Sequence, residues 1–213
     1  MKTEDLISLL STGAEAVDPR LASRRWLAAL AGGMLIAFLI TAGLLKLNSA
    51  LWHETSQPMF WVRESYCAAL SVLGFIAAVR LARPGSRPGW APWGIAVTVI
   101  AMWVLAVVTL AAASPQNRVR LVLGSSAGVC PFLIALLSAP LLAALLCVVR
   151  NLAPTRLRWA GAASGFTAGS IGALVYTLHC PELAAPFLGI WYLLGMLIPT
   201  AIGGWLGPRL LRW

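Results

Sequence analysis

The chain has 213 residues, of which 60% are hydrophobic and only 11% charged, with a mean hydropathy of +0.83. A water-soluble domain carries roughly 25% charged residues, so this composition excludes a soluble enzyme or binding module and points to an integral membrane protein. The net charge of +9 is no signature of nucleic-acid binding, because the basic residues sit in short segments between apolar runs, where they set topology.

Residues 1–25 read as a cytoplasmic tail and 26–213 as a transmembrane domain. In the tail, Thr3 is placed to cap a short helix, with Glu4 and Asp5 in its first turn, where negative charge suits the helix dipole. Leu6, Ile7, Leu9 and Leu10 give that helix one apolar face at i, i+3, i+4 spacing. Two readings stand: a helix tucked under the bundle or at the membrane surface, and a docking helix for a cytosolic partner. Lipid-surface helices usually present a basic face, and the acidic residues here weigh against that variant. Residues 11–20 (STGAEAVDPR) read as a linker. Arg24-Arg25 precedes an apolar run too long for a cleaved signal, with no small-x-small site after it, so the first run is a signal-anchor.

Six apolar runs are long enough to cross a bilayer: 26–45, 60–82, 90–113, 127–149, 159–178 and 183–207. The predicted fold class is therefore all-α, a bundle of six transmembrane helices. With the N-terminus inside, inner segments hold twelve Lys and Arg residues and outer segments four, namely Lys46, Arg63, Arg118 and Arg120. That asymmetry puts both termini in the cytoplasm. Trp26, Trp90, Trp93, Trp159, Trp205 and Trp213 fall at the inner helix ends, as an aromatic belt does.

In chain order, the first outer loop carries His53 and Glu54, and the second run opens with Arg63-Glu64, read as interfacial because adjacent residues do not share a helix face. Cys67 lies in the outer third of that run. The inner loop 83–91 (RPGSRPGWA) is turn-rich and basic. Cys130-Pro131 opens the fourth run, Pro140 is set to kink it, and Cys147 lies near its inner end. The fifth run spaces Gly161, Gly165 and Gly169 every four residues, with Gly172 beside them, a ridge on which another helix can pack closely. No charged residue lies in the middle of any run, which disfavours an ion or charged-substrate pathway.

The fifth and sixth runs are joined by His179-Cys180-Pro181-Glu182. Pro181 suits the first position of a helix, which would put Cys180 at or beside the N-cap of the last helix, where the dipole favours a thiolate. The topology places Cys130 and Cys180 on one face of the membrane, the face where disulfides form and soft metals arrive first. They form a candidate redox or metal-sensing pair, with His179 and Glu182 as supporting groups; Cys130, Cys180 and His179 are the candidate metal ligands. The spacing matches no metal signature, so disulfide and shared metal both stay open. Cys67 and Cys147 read as small apolar membrane residues. Cys-Pro also occurs in haem-responsive proteins, but a dipeptide carries little information.

The opening Met1-Lys2-Thr3-Glu4-Asp5-Leu6-Ile7, the Cys130-Pro131 step, the glycine-spaced fifth run, Tyr176-Thr177-Leu178-His179-Cys180-Pro181-Glu182 and the following Trp191-Tyr192 resemble the NrsF family of six-helix bacterial membrane anti-sigma factors. The Leu-His-Cys-Pro-Glu stretch leading to Trp-Tyr is the most specific part of the likeness. The resemblance implies a multi-pass inner-membrane protein that sequesters an extracytoplasmic-function sigma factor. It implies release when heavy metals or oxidants reach the cysteine pair, here Cys130 and Cys180. It implies no enzymatic activity, no resident cofactor beyond transient heavy-metal binding, no direct contact with nucleic acid, and no small-molecule substrate; the bilayer and the sigma factor are the partners. Glu4, Asp5, Leu6, Ile7, Leu9 and Leu10 are the candidate sigma-binding residues. Two readings compete. A small transporter or channel should carry intramembrane charges and an inverted repeat, and a membrane thiol oxidoreductase should carry a C-x-x-C pair; neither feature is present.

Overall fold

The structure is a computed structural model that describes Glu4 and residues 19–212. Every regular element among these residues is helical. Six long helices follow one another: α1 (Pro19–Ile40, running on as a π turn, Thr41–Leu45), α2 (Pro58–Leu81), α3 (Ala91–Ala112), α4 (Cys130–Arg150), α5 (Leu157–Tyr176) and α6 (Leu193–Leu210). One helical turn, Ala185–Phe187, and a π segment, Leu188–Tyr192, lead into α6 without a break. Short helices Leu51–Glu54 and Pro115–Leu123 cap the end of the bundle that holds the α4 N-terminus and the α5 C-terminus. Pro at the first or second position opens α2, α3 and α4, where a missing N–H leaves nothing unpaired. Pro140 is taken inside an unbroken α4.

Five segments are long and apolar enough to cross a membrane: Ser23–Leu45, Pro58–Leu81, Ala91–Ala112, Cys130–Arg150 and Ala185–Leu210. The expected fifth run corresponds to α5, which falls short of that apolarity. Its composition explains this: Gly, Ala, Ser and Thr fill most of LRWAGAASGFTAGSIGALVY. α5 is nevertheless the most enclosed helix, packed on by α6, α2 and α4, with residues from Gly161 to Tyr176 buried almost all the way round. A helix surrounded by protein needs no lipophilic face. Its hydroxyls are satisfied within the helix: Ser164 Oγ donates to the Ala160 carbonyl at 2.8 Å, Thr167 Oγ1 to Ala163 at 2.7 Å and Ser170 Oγ to Phe166 at 2.9 Å. By contrast, α3 buries only Ala91, Met102 and Ala106 and leaves Trp93, Val97, Ile100 and Val107 exposed, the pattern of a helix at the rim of a bundle.

The glycine ridge is used, but mostly against α6. A Cβ added at Gly161 would strike the Gly203 carbonyl, one at Gly203 the Gly161 carbonyl, and one at Gly165 the Pro199 carbonyl. Gly172 alone faces α4, where a Cβ would come within 3.1 Å of the Ile134 carbonyl and the Ser138 nitrogen. The two helices are thus in backbone contact over most of the length of α5, the close approach that small-xxx-small spacing permits.

The candidate sigma-binding residues Asp5, Leu6, Ile7, Leu9 and Leu10 lie outside the described residues; Glu4 is helical and exposed.

Candidate functional site at the thiol end of the bundle

The site begins where α5 ends. Its last turn does not stop at Tyr176: the N–H groups of His179 and Cys180 both donate to the Tyr176 carbonyl, at 3.0 and 3.1 Å. Cys180 is therefore the end of the α5 turn and not the N-cap of the last helix. Pro181 has no N–H to carry the turn further, residues 181–184 are non-helical, and the next helix starts at Ala185 with Pro186 in its first turn. The expectation of a dipole-activated thiolate at Cys180 falls with that geometry. Cys130 is placed as expected, as the first residue of α4 after Val129.

The segment before α4 joins the two cysteines. The Cys130 N–H donates to the Ser126 carbonyl at 2.9 Å, and Ser126 Oγ lies 3.8 Å from Cys180 Sγ. Tyr176 is packed in the same buried cluster as both cysteines. All four cysteines are free, and Cys67, Cys130 and Cys180 are buried, whereas Cys147 is exposed. Cys67, on α2, lies within electrostatic range of Cys130, so it belongs to the same end of the core.

The supporting groups are engaged elsewhere. Glu182 Oε1 accepts from the Ser125 N–H and the Ser125 hydroxyl, both at 2.7 Å. Gly124, at φ +53°, lets the turn wrap so closely that an added Cβ would sit 2.8 Å from the Glu182 carboxyl carbon. A recess of about 520 Å³ between Pro115–Leu123 and this loop is lined by Asn117, Arg120, Gly124, Ser125 and Glu182, and by neither cysteine. His179 is tied through Nδ1 to the Lys46 carbonyl at 2.9 Å. Among the described residues, no three His, Cys, Asp or Glu side chains converge as a metal-binding group.

One residue of the site was missed by the sequence reading. Arg63, expected at the interface, is fully buried. Its Nη1 donates to the Cys180 carbonyl at 2.8 Å and to the Glu182 carbonyl at 3.3 Å. Its Nη2 lies 3.6 Å from Glu54 Oε2 and its Nε 3.4 Å from Glu64 Oε1, ion pairs without hydrogen-bond geometry. Phe60 lies under the guanidinium at 5.2 Å. Glu54 is buried too, and Asn48 Nδ2 donates to its Oε1 at 2.6 Å while the Asn48 N–H donates to the Leu178 carbonyl at 2.9 Å. The available signal was the charge itself: an ionisable residue inside an apolar run marks a functional-site candidate. Glu64 beside it suggested an exposed pair instead. His53, by contrast, stays exposed on Leu51–Glu54.

This arrangement has thiols and no nucleophile–base pair on an open surface. It can bring two sulfurs under one covering loop whose backbone a buried cation holds.

The whole chain has relatives. A family model described as a negative regulator of sigma F matches residues 10–213. The chain is 46% identical over 213 residues to a probable anti-sigma-F factor NrsF of Azospira oryzae, covering all of both chains. It is 40% identical over 217 residues to an anti-sigma-F factor NrsF of Caulobacter vibrioides, again over the full length of both. No solved structure matches. With the fold helical throughout and the match running nearly end to end, the chain belongs to the NrsF family of negative regulators of sigma F.

Proposed function

We propose that this protein is a six-span inner-membrane anti-sigma factor, with both termini cytoplasmic, that holds an extracytoplasmic-function sigma factor and releases it when Cys130 and Cys180 are modified by an oxidant or a heavy metal. The anti-sigma role rests on the family. The sensing role is supported by one observation: Ser126 lies against the Cys180 thiol while its carbonyl accepts the Cys130 N–H. Oxidation would join the two sulfurs as a disulfide, with two protons and two electrons passing to the oxidant. A soft metal ion would instead displace the two thiol protons and be held by two sulfurs. Both thiols are buried, so either reagent gains access through local opening of the loop, the kind of low-stability unit that switches draw on. To act as a signal, modification must change sigma affinity by a coupling energy of typically 1–3 kcal/mol.

A sigma-dependent reporter tests this. Cys130→Ser and Cys180→Ser should each abolish induction by cadmium and by hypochlorite while leaving uninduced repression intact. Replacing Leu6, Leu9 and Leu10 together with Ser should raise the uninduced reporter while the protein still inserts. Normal induction in both cysteine variants would remove the sensing role. Full repression in the triple variant would move the sigma contact to the inner loops.

A further inference from the structure

Arg63 is the fully buried cation among the described residues, and its placement is unusual in two ways. Both of its hydrogen bonds go to main-chain carbonyls of the segment Cys180–Glu182, which no helix or turn of their own satisfies. Its acidic partners come from two directions, Glu64 from its own helix and Glu54 from the loop before it. The contacts close a ring: Arg63 to Cys180, back along the α5 turn to Leu178, across to Asn48, on to Glu54, and back to Arg63. The thiol loop, the first connecting loop and the first turns of α2 are thus one mechanical unit.

Stability alone accounts poorly for this. A buried ion pair is often no better than a well-packed apolar substitute, and the backbone of so short a link could have been satisfied by a helix cap. What the cation adds is dependence. The Cys180 side chain is buried, with Ser126 Oγ 3.8 Å from its sulfur. Adding bulk to that sulfur, or drawing it toward Cys130, displaces the Cys180 carbonyl. Arg63 then either leaves two carbonyls and its own Nη1 donor unpaired inside the bundle or moves with the loop. Beyond Arg63, α2 packs tightly on α5, where a Cβ at Gly74 would sit 2.9 Å from Phe166 and 3.2 Å from Thr167 Oγ1. So dense an interface shifts between discrete arrangements and does not deform gradually. α2 ends at Leu81, next to the basic loop at the opposite end.

We propose that Arg63 is a positioning residue for the sensor: it keeps the Cys180 loop closed and passes displacement of that loop to α2. This rests on the thiol-sensing reading above, and the experiment separates the two. Full-length protein in native membranes is treated with N-ethylmaleimide, whose double bond a thiol adds across, and labelling of each cysteine is followed by mass spectrometry. Arg63→Gln should speed labelling of Cys180 about tenfold, and Arg63→Lys, which keeps the charge but loses the fork, should fall between. Cys147, at the far end, should label as before. Unchanged Cys180 labelling would overturn the proposal. So would equal acceleration at Cys67, Cys130 and Cys180, which is general loosening. Should Arg63→Gln fail to accumulate, Glu54→Gln leaves the carbonyl bonds in place and should give a smaller acceleration confined to the same loop; no change there would also overturn it. For transmission, Arg63→Gln with both cysteines present should weaken induction of the sigma-dependent reporter by cadmium even though Cys180 labels faster; full induction overturns that half. Induction surviving in the double cysteine variant alone would remove the sensing reading and leave the labelling result standing.

Discussion

The two ends of the bundle are held together by different physics. At the thiol end, residues distant in sequence are joined by directed bonds: Arg63 to Cys180, Asn48 to Leu178, Ser125 to Glu182, Trp191 Nε1 to the Val122 carbonyl at 2.8 Å, and Trp103 Nε1 to the Gly189 carbonyl at 2.9 Å. At the opposite end, the arginines of the connecting loops are mostly exposed and no ion pair is formed among the described residues. There the Gly85 N–H donates to Thr155 Oγ1 at 3.1 Å between two loops, while the helices themselves meet through backbone contact: Gly203 on Gly161, and Gly207 against the Leu157 carbonyl. Directed bonds specify one geometry and break all at once; glycine contacts this close hold the helices in one of a few discrete packings.

The largest effect should come from the α5–α6 glycine interface. Gly165→Leu forces a side chain into the Pro199 carbonyl, and overpacking of that kind costs about 1–3 kcal/mol or more. Thermal unfolding in detergent should show a clear drop in midpoint. Gly32→Leu on α1, where an added Cβ meets nothing within 4 Å, should be near neutral. Equal effects at the two positions would erase the distinction between the α5–α6 contact and the rest of the helix surface. A smaller effect is expected at the bonded end. Glu182→Gln keeps one acceptor for the Ser125 N–H and loses the charge, at a cost of about 1 kcal/mol. Its test is whether maleimide labelling rises at Cys180 more than the unfolding midpoint falls. The smallest effect is Cys147→Ser, a substitution at an exposed position, within about 0.5 kcal/mol of neutral. Its reporter induction should match that of the unsubstituted protein; lost induction would move a sensing thiol to the other end.

Helix positions were legible because each long apolar run ends in charge, Pro or Gly, and the structure places the runs within a few residues of expectation. The glycine ridge announced a close contact but not its partner, since spacing on one helix says nothing about which neighbour has matching carbonyls; α6 has them, through Gly203 and Pro199. Cys130 was readable from Pro131 beside it. Cys180 was misplaced because Pro181 fits a helix start and a helix stop equally well, and only the bonds to the Tyr176 carbonyl decide between them. Arg63 could be flagged by its charge in an apolar run, but its role was out of reach for another reason: its hydrogen-bond partner is 117 residues away. No local pattern encodes a contact of that range.

The composition of α5 bears on how the protein is made. A segment enters the bilayer unaided when its own transfer free energy favours it, and Gly, Ser and Thr contribute little to that. In the six-span arrangement α5 is therefore a passenger, retained by the more lipophilic segments on either side, Cys130–Arg150 before it and Ala185–Leu210 after it. Biogenesis has to hold α5 until α6 has left the ribosome, because the backbone contacts that α5 makes are mainly with α6. The thiol loop connects these two segments, so it takes shape only once α6 is in place, and a chain caught before that presents Cys180 without the covering that Arg63 holds in place.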